Sequence, residues 1–167
     1  INGAAGRLQN GIAPDETAST LYTKATTALQ EIIAEIAPLL QKDQPLPASP
    51  QDHEQASYCA RRTPEDGWID WQRSAREIWT LVRAVGKPYP GAFTVYNEHK
   101  LIIWHAAMRS DFHHIGLPGQ ILAREGDAVV VQCGSGWLDV LLVEDEAGNE
   151  TAAADSLTHI HDKLGVN

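Results

Sequence analysis

At 167 residues the chain has room for one ordinary domain, or for a small domain with an extension. Hydrophobic content of 43% and charged content of 21% fit a globular fold, and no apolar run approaches the ~20 residues that cross a bilayer. The 13 Lys and Arg against 22 Asp and Glu leave a formal charge of −9, which argues against nucleic acid as the main partner because an acidic surface repels a phosphate backbone.

The chain opens on Ile1, and the stretch INGAAGRLQNGIAPDET reads as the middle of a longer protein, with no signal-peptide pattern. Pro14 and Asp15 then supply a helix start. Ala18, Leu21, Tyr22, Ala25, Ala28, Leu29, Ile32, Ile33 and Ile36 recur at three- and four-residue steps. That spacing predicts a helix over 15–37 with one apolar face, which Pro38 ends or kinks. The stripe needs a partner surface; without one, Leu21, Ile32, Ile33 and Ile36 are expected to be exposed. Residues 41–58, QKDQPLPASPQDHEQASY, hold three prolines and few apolar side chains, the composition of an extended linker.

From Gly67 the pattern changes. WIDW predicts a short strand, and Ser74 with Glu77 spells a capping box. The helix that follows turns Ala75, Ile78, Trp79, Val82 and Val85 inward and stops at Gly86. Strands are expected near 92–96 and 100–107 around a tight turn at Asn97-Glu98. Two more are expected near 119–124 and 128–133 around Glu125-Gly126-Asp127, and a fifth over 137–143 after Gly134-Ser135-Gly136. Asp155 or Ser156 can cap a closing helix that ends before Gly165. The fold class is therefore α+β: an N-terminal helical segment and linker, then a small barrel of the oligonucleotide/oligosaccharide-binding type with one embedded and one C-terminal helix. The division expected is 1–40, 41–60 and 61–167.

Several residue patterns invite chemistry and are read more simply. Asn97-Glu98-His99 has the form of a catalytic Asn-x-His pair, but it falls on a hairpin turn, where Asn tolerates positive φ. His113-His114 and His159/His161 lack the i, i+4 ligand spacing on a helix, so no metal site is expected. CGSGW is neither a nucleophile elbow nor a phosphate loop, and Cys133 reads as a buried strand residue. Cys59 and Cys133 cannot build a disulfide framework, which suits a reducing, cytoplasmic setting. Asn149-Glu150-Thr151 matches a glycosylation acceptor, a tripeptide common by chance, and Glu144-Asp145-Glu146 reads as a solvated loop. Of Trp68, Trp71, Trp79, Trp104 and Trp137, most are expected in the core, with Trp79 on the apolar helix face and Trp104 in an apolar strand.

Two stretches remain, ARRTPEDGWIDW and RAVGKPYPGAF. With KLIIW and PGQIL…GDAVVVQCGSGWLDVLLV they resemble, in order, the linker and C-terminal domain of the 10-formyltetrahydrofolate-dependent formyltransferases. IAPDETASTLYTKATTALQEII is similar to the helix that closes the catalytic domain of that family. The family includes methionyl-tRNA formyltransferase and sugar N-formyltransferases. The resemblance implies formyl transfer to the primary amine of a small-molecule substrate, with 10-formyltetrahydrofolate bound by a domain outside this sequence. It also implies that the catalytic Asn, His and Asp lie in that domain. Asn97-x-His99 lacks the following Ser of the family pattern, and INGAA holds no Asp, so no catalytic residue is carried over.

What remains are substrate-binding candidates. Arg61 and Arg62 sit where linker meets barrel; they either bind a substrate phosphate bidentately or form a salt bridge to the acidic surface or Asp66. Tyr89, in Pro88-Tyr89-Pro90-Gly91, either stacks on a base or sugar or belongs to a turn that only starts the barrel, the latter being favoured. The acceptor preferred is an amino sugar on a nucleotide carrier, because RRTPEDG is most similar to the sugar-modifying branch and an acidic domain grips tRNA poorly. The alternatives are methionyl-tRNA formyltransferase, a peptide-synthetase initiation formyltransferase, or a binding module without chemistry.

Overall fold

The computed structural model of the chain describes residues 11–46, 50 and 52–166. INGAA, where the family's catalytic Asp was sought, lies outside them. The chain divides into two compact units, Ile1–Arg62 and Thr63–Asn167.

The first unit is built on helix α1, Ala18–Gln41. Its start is set by Thr17, which has an extended backbone and whose side-chain oxygen accepts the Thr20 N–H at 3.2 Å, while the Thr20 hydroxyl accepts the Thr17 N–H at 3.0 Å. The helix thus begins later than Asp15 suggests, because the hydroxyl pair rather than the aspartate satisfies the first free donors. It also runs past Pro38 to Gln41. Proline in the last turn removes one backbone donor, and the Lys42 N–H still closes on Leu39 O at 3.2 Å. Along the stripe Ala28 is buried and Ile32 and Ile36 are half-buried, whereas Leu21, Tyr22, Leu29 and Ile33 are exposed. Asp52 caps a short 3-10 turn at His53–Gln55, after which Ala56–Arg62 is exposed and neither helix nor strand.

The second unit begins with a 3-10 turn, Pro64–Gly67, followed by the 68–71 stretch. The strand expected there reduces to one bridge, Trp68 to Phe93, with the Ile69 N–H on Phe93 O at 2.8 Å. A pair of residues is held; a ladder is not formed. Helix α2, Ala75–Ala84, starts at the Ser74–Glu77 capping box and buries Ala75, Ile78 and Val82 against strand β2. Six strands follow: β1 (Ala92–Tyr96), β2 (His99–Arg109), β3 (Ile121–Glu125), β4 (Ala128–Gln132), β5 (Trp137–Glu144) and β6 (Glu150–Ala152). Asn97 and Glu98, at φ 51 and 68, make the two-residue turn that sets Tyr96 opposite His99.

The sheet is antiparallel in the order β1-β2-β5-β4-β3. β5 is its spine. One edge pairs with β2 along Ile102–Arg109, and the other is shared, β4 taking Trp137–Val140 and β6 taking Leu142–Glu144. Ile69, Trp71, Ile78, Ile103, Ile121, Val131, Leu138, Val140, Leu157 and Leu164 belong to one buried hydrophobic core.

The closing helix expected before Gly165 is replaced by a single turn, α3, Ala153–Ser156. Beyond Leu157 the backbone groups go to the sheet instead of to a helix. The Ile121 N–H donates to Asp162 O and the His161 N–H to Ile121 O, both at 2.8 Å; the Leu164 N–H reaches Gly119 O at 2.9 Å. The Gly165 N–H then reaches Val95 O at 2.8 Å. The sheet is therefore open: β1 and β3, the ends of its strand order, do not pair, and the segment 161–165 bonds to both.

Candidate functional site

The two sequence stretches that carry the resemblance meet in space. Gly67 and Gly91 are both buried. A Cβ on Gly67 would stand 2.5 Å from Gly91 O, and one on Gly91, at φ +87, would stand 2.5 Å from Ile102 Cγ2 and 2.9 Å from Trp104 Cζ3. Only glycine allows this approach at either position. The turn after α2 is closed by the Tyr89 N–H on Gly86 O at 3.0 Å and the Gly91 N–H on Val85 O at 2.9 Å. It lies over the outer face of β2 and touches the end of the Pro64–Gly67 turn.

An aromatic shelf surrounds this junction. The Trp68 indole is 41% exposed and meets the Phe93 ring edge-to-face, centroids 5.6 Å apart at 70°. Lys100 Nζ lies 4.4 Å from the centroid of the same Phe93 ring. Trp104 Nε1 donates to Glu144 Oε2 at 2.7 Å, and Lys87, ion-paired with Glu150, sits 4.9 Å from the Trp104 centroid. Tyr89 is 53% exposed on the adjoining turn. The Thr63 hydroxyl, the Glu65 backbone N–H and the charge of Lys100 together hold the Glu65 carboxyl below its usual range.

Trp68 and Trp104 correct the expectation that these tryptophans serve the core. Trp71 is buried and Trp79 is partly buried beneath the Arg83 guanidinium. Trp104 lies on the outer face of β2, since its neighbours Leu101 and Ile103 point inward. Trp68 stands out with Asp70 while Ile69 and Trp71 turn in. The period-two alternation of WIDW already carried that signal.

The residues singled out in the sequence are distributed as follows. Arg61 and Arg62 are exposed at the end of the first unit, and Tyr89 belongs to the second. Asp66, considered as an arginine partner, accepts the Thr63 N–H at 2.7 Å. Asn97 and His99 lie at the β1–β2 turn. Cys133 is 1% exposed and burial pushes its thiol up to about 12, which removes it as a nucleophile near neutral pH. Gly134 and Ser135 hold the start of α2: the Gly134 N–H donates to Trp71 O, and Ser135 O accepts the Ala75 N–H, each at 2.8 Å. Asp145 organises the acidic loop by accepting the Ala147 and Asn149 N–H groups, both at 2.9 Å, and Asn149 Nδ2 returns to it. Among the described residues no three His, Cys, Asp or Glu side chains converge as a metal site, and no helix is long and apolar enough to cross a membrane.

A small α+β unit, entered through a glycine-locked turn and built on an open six-stranded sheet, is the class of protein these features define. Residues 61–160 match the family described as formyl transferase, C-terminal domain, and the chain belongs to that family. Among solved structures it is similar to a multiply substituted variant of HypX from Aquifex aeolicus, at 16% identity over 90% of this chain and 27% of that one, with a TM-score of 0.71. It is similar as well to HypX from Aquifex aeolicus in complex with tetrahydrofolic acid, at 17% identity over 87% and 26% of the two chains, TM-score 0.70. These likenesses show a shared fold. The chain spans about a quarter of the length of the HypX chains it matches. A methionyl-tRNA formyltransferase from Clostridium thermocellum aligns at 28% identity over 49% of this chain and 36% of its own, with a TM-score of 0.37.

Proposed function

We propose that the chain is part of an N-formyltransferase that moves a formyl group from 10-formyltetrahydrofolate to a primary amine, with an amino sugar on a nucleotide carrier as the acceptor. The observation that carries the reading is the family match over 61–160. A relative by fold that was crystallised with tetrahydrofolic acid supports a folate donor. In the transfer the amine nitrogen gains the formyl carbon and loses a proton, while N10 of the folate regains one. The groups that carry this out belong to a catalytic domain; the present chain supplies acceptor contacts. We read the sheet, completed along its edges by residues 161–165, as a barrel of the oligonucleotide/oligosaccharide-binding type, and the free thiols as suited to the cytoplasm.

The choice of acceptor rests on charge beside the spelling of RRTPEDG. With 13 basic against 22 acidic side chains the surface offers few cations to a polynucleotide, whereas Arg61 and Arg62 suffice for one diphosphate. In the complete enzyme, Arg61→Ala with Arg62→Ala is expected to raise the KM for a nucleotide-linked amino sugar by roughly tenfold or more, from ~1.5–3 kcal/mol per charged hydrogen bond. The KM for the folate should stay nearly unchanged. Wild-type sugar kinetics in the double variant, or tight tRNA binding at physiological salt, would overturn the reading.

A further inference from the structure

We infer that Trp68, together with Tyr89 and Lys100, forms a nucleotide-binding shelf, the base stacking on the Trp68 indole and a phosphate meeting the Lys100 ammonium. The inference rests on the proposal that the acceptor carries a nucleotide, and it names the side chains of this unit that select for one.

Trp68 differs from three of the other four tryptophans in how its indole N–H is held. Trp71, Trp104 and Trp137 each spend their indole N–H on an acceptor, Thr94, Glu144 and the His114 carbonyl respectively. The Trp68 N–H has no acceptor among the described residues and the residue is 41% exposed, whereas Trp79, the other tryptophan without an indole acceptor among them, is partly buried beneath the Arg83 guanidinium. Yet the ring is not loose. The Ile69 N–H bond to Phe93 O and the edge contact with Phe93 fix its backbone and its indole together. A rigid, exposed aromatic surface loses little entropy when a flat ligand stacks on it.

The cation beside it is held loosely. Lys87 is tied to Glu150, whereas Lys100 makes no close ion pair among the described residues: its charge acts on Glu65 from farther off, and its Nζ lies over the Phe93 ring that Trp68 also contacts. A neutral sugar could stack on Trp68 but has no use for Lys100; a phosphate alone could use Lys100 but not Trp68. A nucleotide uses both. A polynucleotide does not fit, because carboxylates ring the shelf: Glu65 and Asp66 precede it, Glu146 accepts the Lys100 N–H at 2.7 Å, and Glu144 and Glu150 hold Trp104 and Lys87. Tyr89 projects from the turn that Gly91 presses against Gly67, one residue from Trp68, and adds a second exposed aromatic surface.

The test follows the indole N–H resonances of the 15N-labelled chain during titration with UDP, ribose 5-phosphate and an octathymidylate. UDP is expected to move the Trp68 resonance and leave the buried Trp71 resonance in place. Trp68→Ala should weaken UDP binding by roughly tenfold and Trp68→Phe should restore most of it. Lys100→Gln should weaken binding and flatten its salt dependence. An unmoved Trp68 resonance at millimolar UDP, equal binding of ribose 5-phosphate, or tighter binding of the octathymidylate would overturn the inference. An unchanged Trp71 resonance in each variant certifies its fold. UDP binding at Trp68 with no formylation of nucleotide-linked amines by the complete enzyme would leave the shelf standing and remove the proposed acceptor. Turnover of a nucleotide sugar with wild-type KM in Trp68→Ala would do the reverse.

Discussion

Trp71 and Thr94 form a buried polar pair inside an apolar core: the indole Nε1 donates to the Thr94 hydroxyl at 3.0 Å, with Trp71 4% and Thr94 0% exposed. Replacing Thr94 by the isosteric Val keeps the volume and strands the indole donor. Thr94→Val is therefore expected to destabilise the second unit by about 1–3 kcal/mol, read as a lower urea midpoint, while Thr94→Ser stays close to wild type. Equal midpoints for Val and Thr would show that this bond contributes nothing. The pair was invisible in the sequence. Each residue sits credibly in its own segment, but their 23-residue separation carries no periodicity, and nothing local to Thr94 indicates what its hydroxyl meets. Gly67 and Gly91 were half-legible: each marks a turn, but that the two turns abut is a fact of packing.

Elements held by local chemistry were legible to within a few residues. Strands β1 to β5 follow from alternation and their turns, and α2 from its capping box. Strand β6 spans three residues, too short for any alternation to register, and the irregular segment 161–165 is ordered by sheet edges far away in sequence. That segment is anchored by Leu164, 1% exposed within the core. Leu164→Ala is expected to cost about 2–5 kcal/mol. In hydrogen exchange, the Ile121, Leu164 and Gly165 amides should lose protection in the variant before those of β4 and β5 do. Uniform loss across the unit would mean that the segment opens only with the whole fold.

The two compact units join at Arg62-Thr63, next to the chain's densest basic site. Arg61 and Arg62 are exposed and lie in no helix or strand, the state in which a protease can bind a backbone. Brief trypsin digestion should cut after one of them and release a fragment starting at Arg62 or Thr63. Its own core should let that fragment melt as one cooperative transition in calorimetry. Early cleavage at Arg83 or Arg109 instead would show that the second unit does not stand alone. Family membership was legible at this scale because several separated motifs occur in order, a signal that survives even where single motifs are weak. The aromatic shelf was partly legible: the alternation of WIDW turns Trp68 outward, but that the Tyr89 turn lies beside it depends on the approach of Gly67 to Gly91.

The segment 161–165 comes after every strand it covers, and this order matters while the protein is being made. A ribosome delivers β1 and β3 well before residues 161–165, so in each nascent chain the Val95 carbonyl and both backbone groups of Ile121 lack these partners until residue 165 has emerged, although Phe93 O already has the Ile69 N–H. Open strand edges recruit other strands. Crowded polysomes are thus where this protein is most vulnerable to misassociation, and a holdase chaperone that shields those edges should raise its soluble yield more than one acting on the released, finished chain.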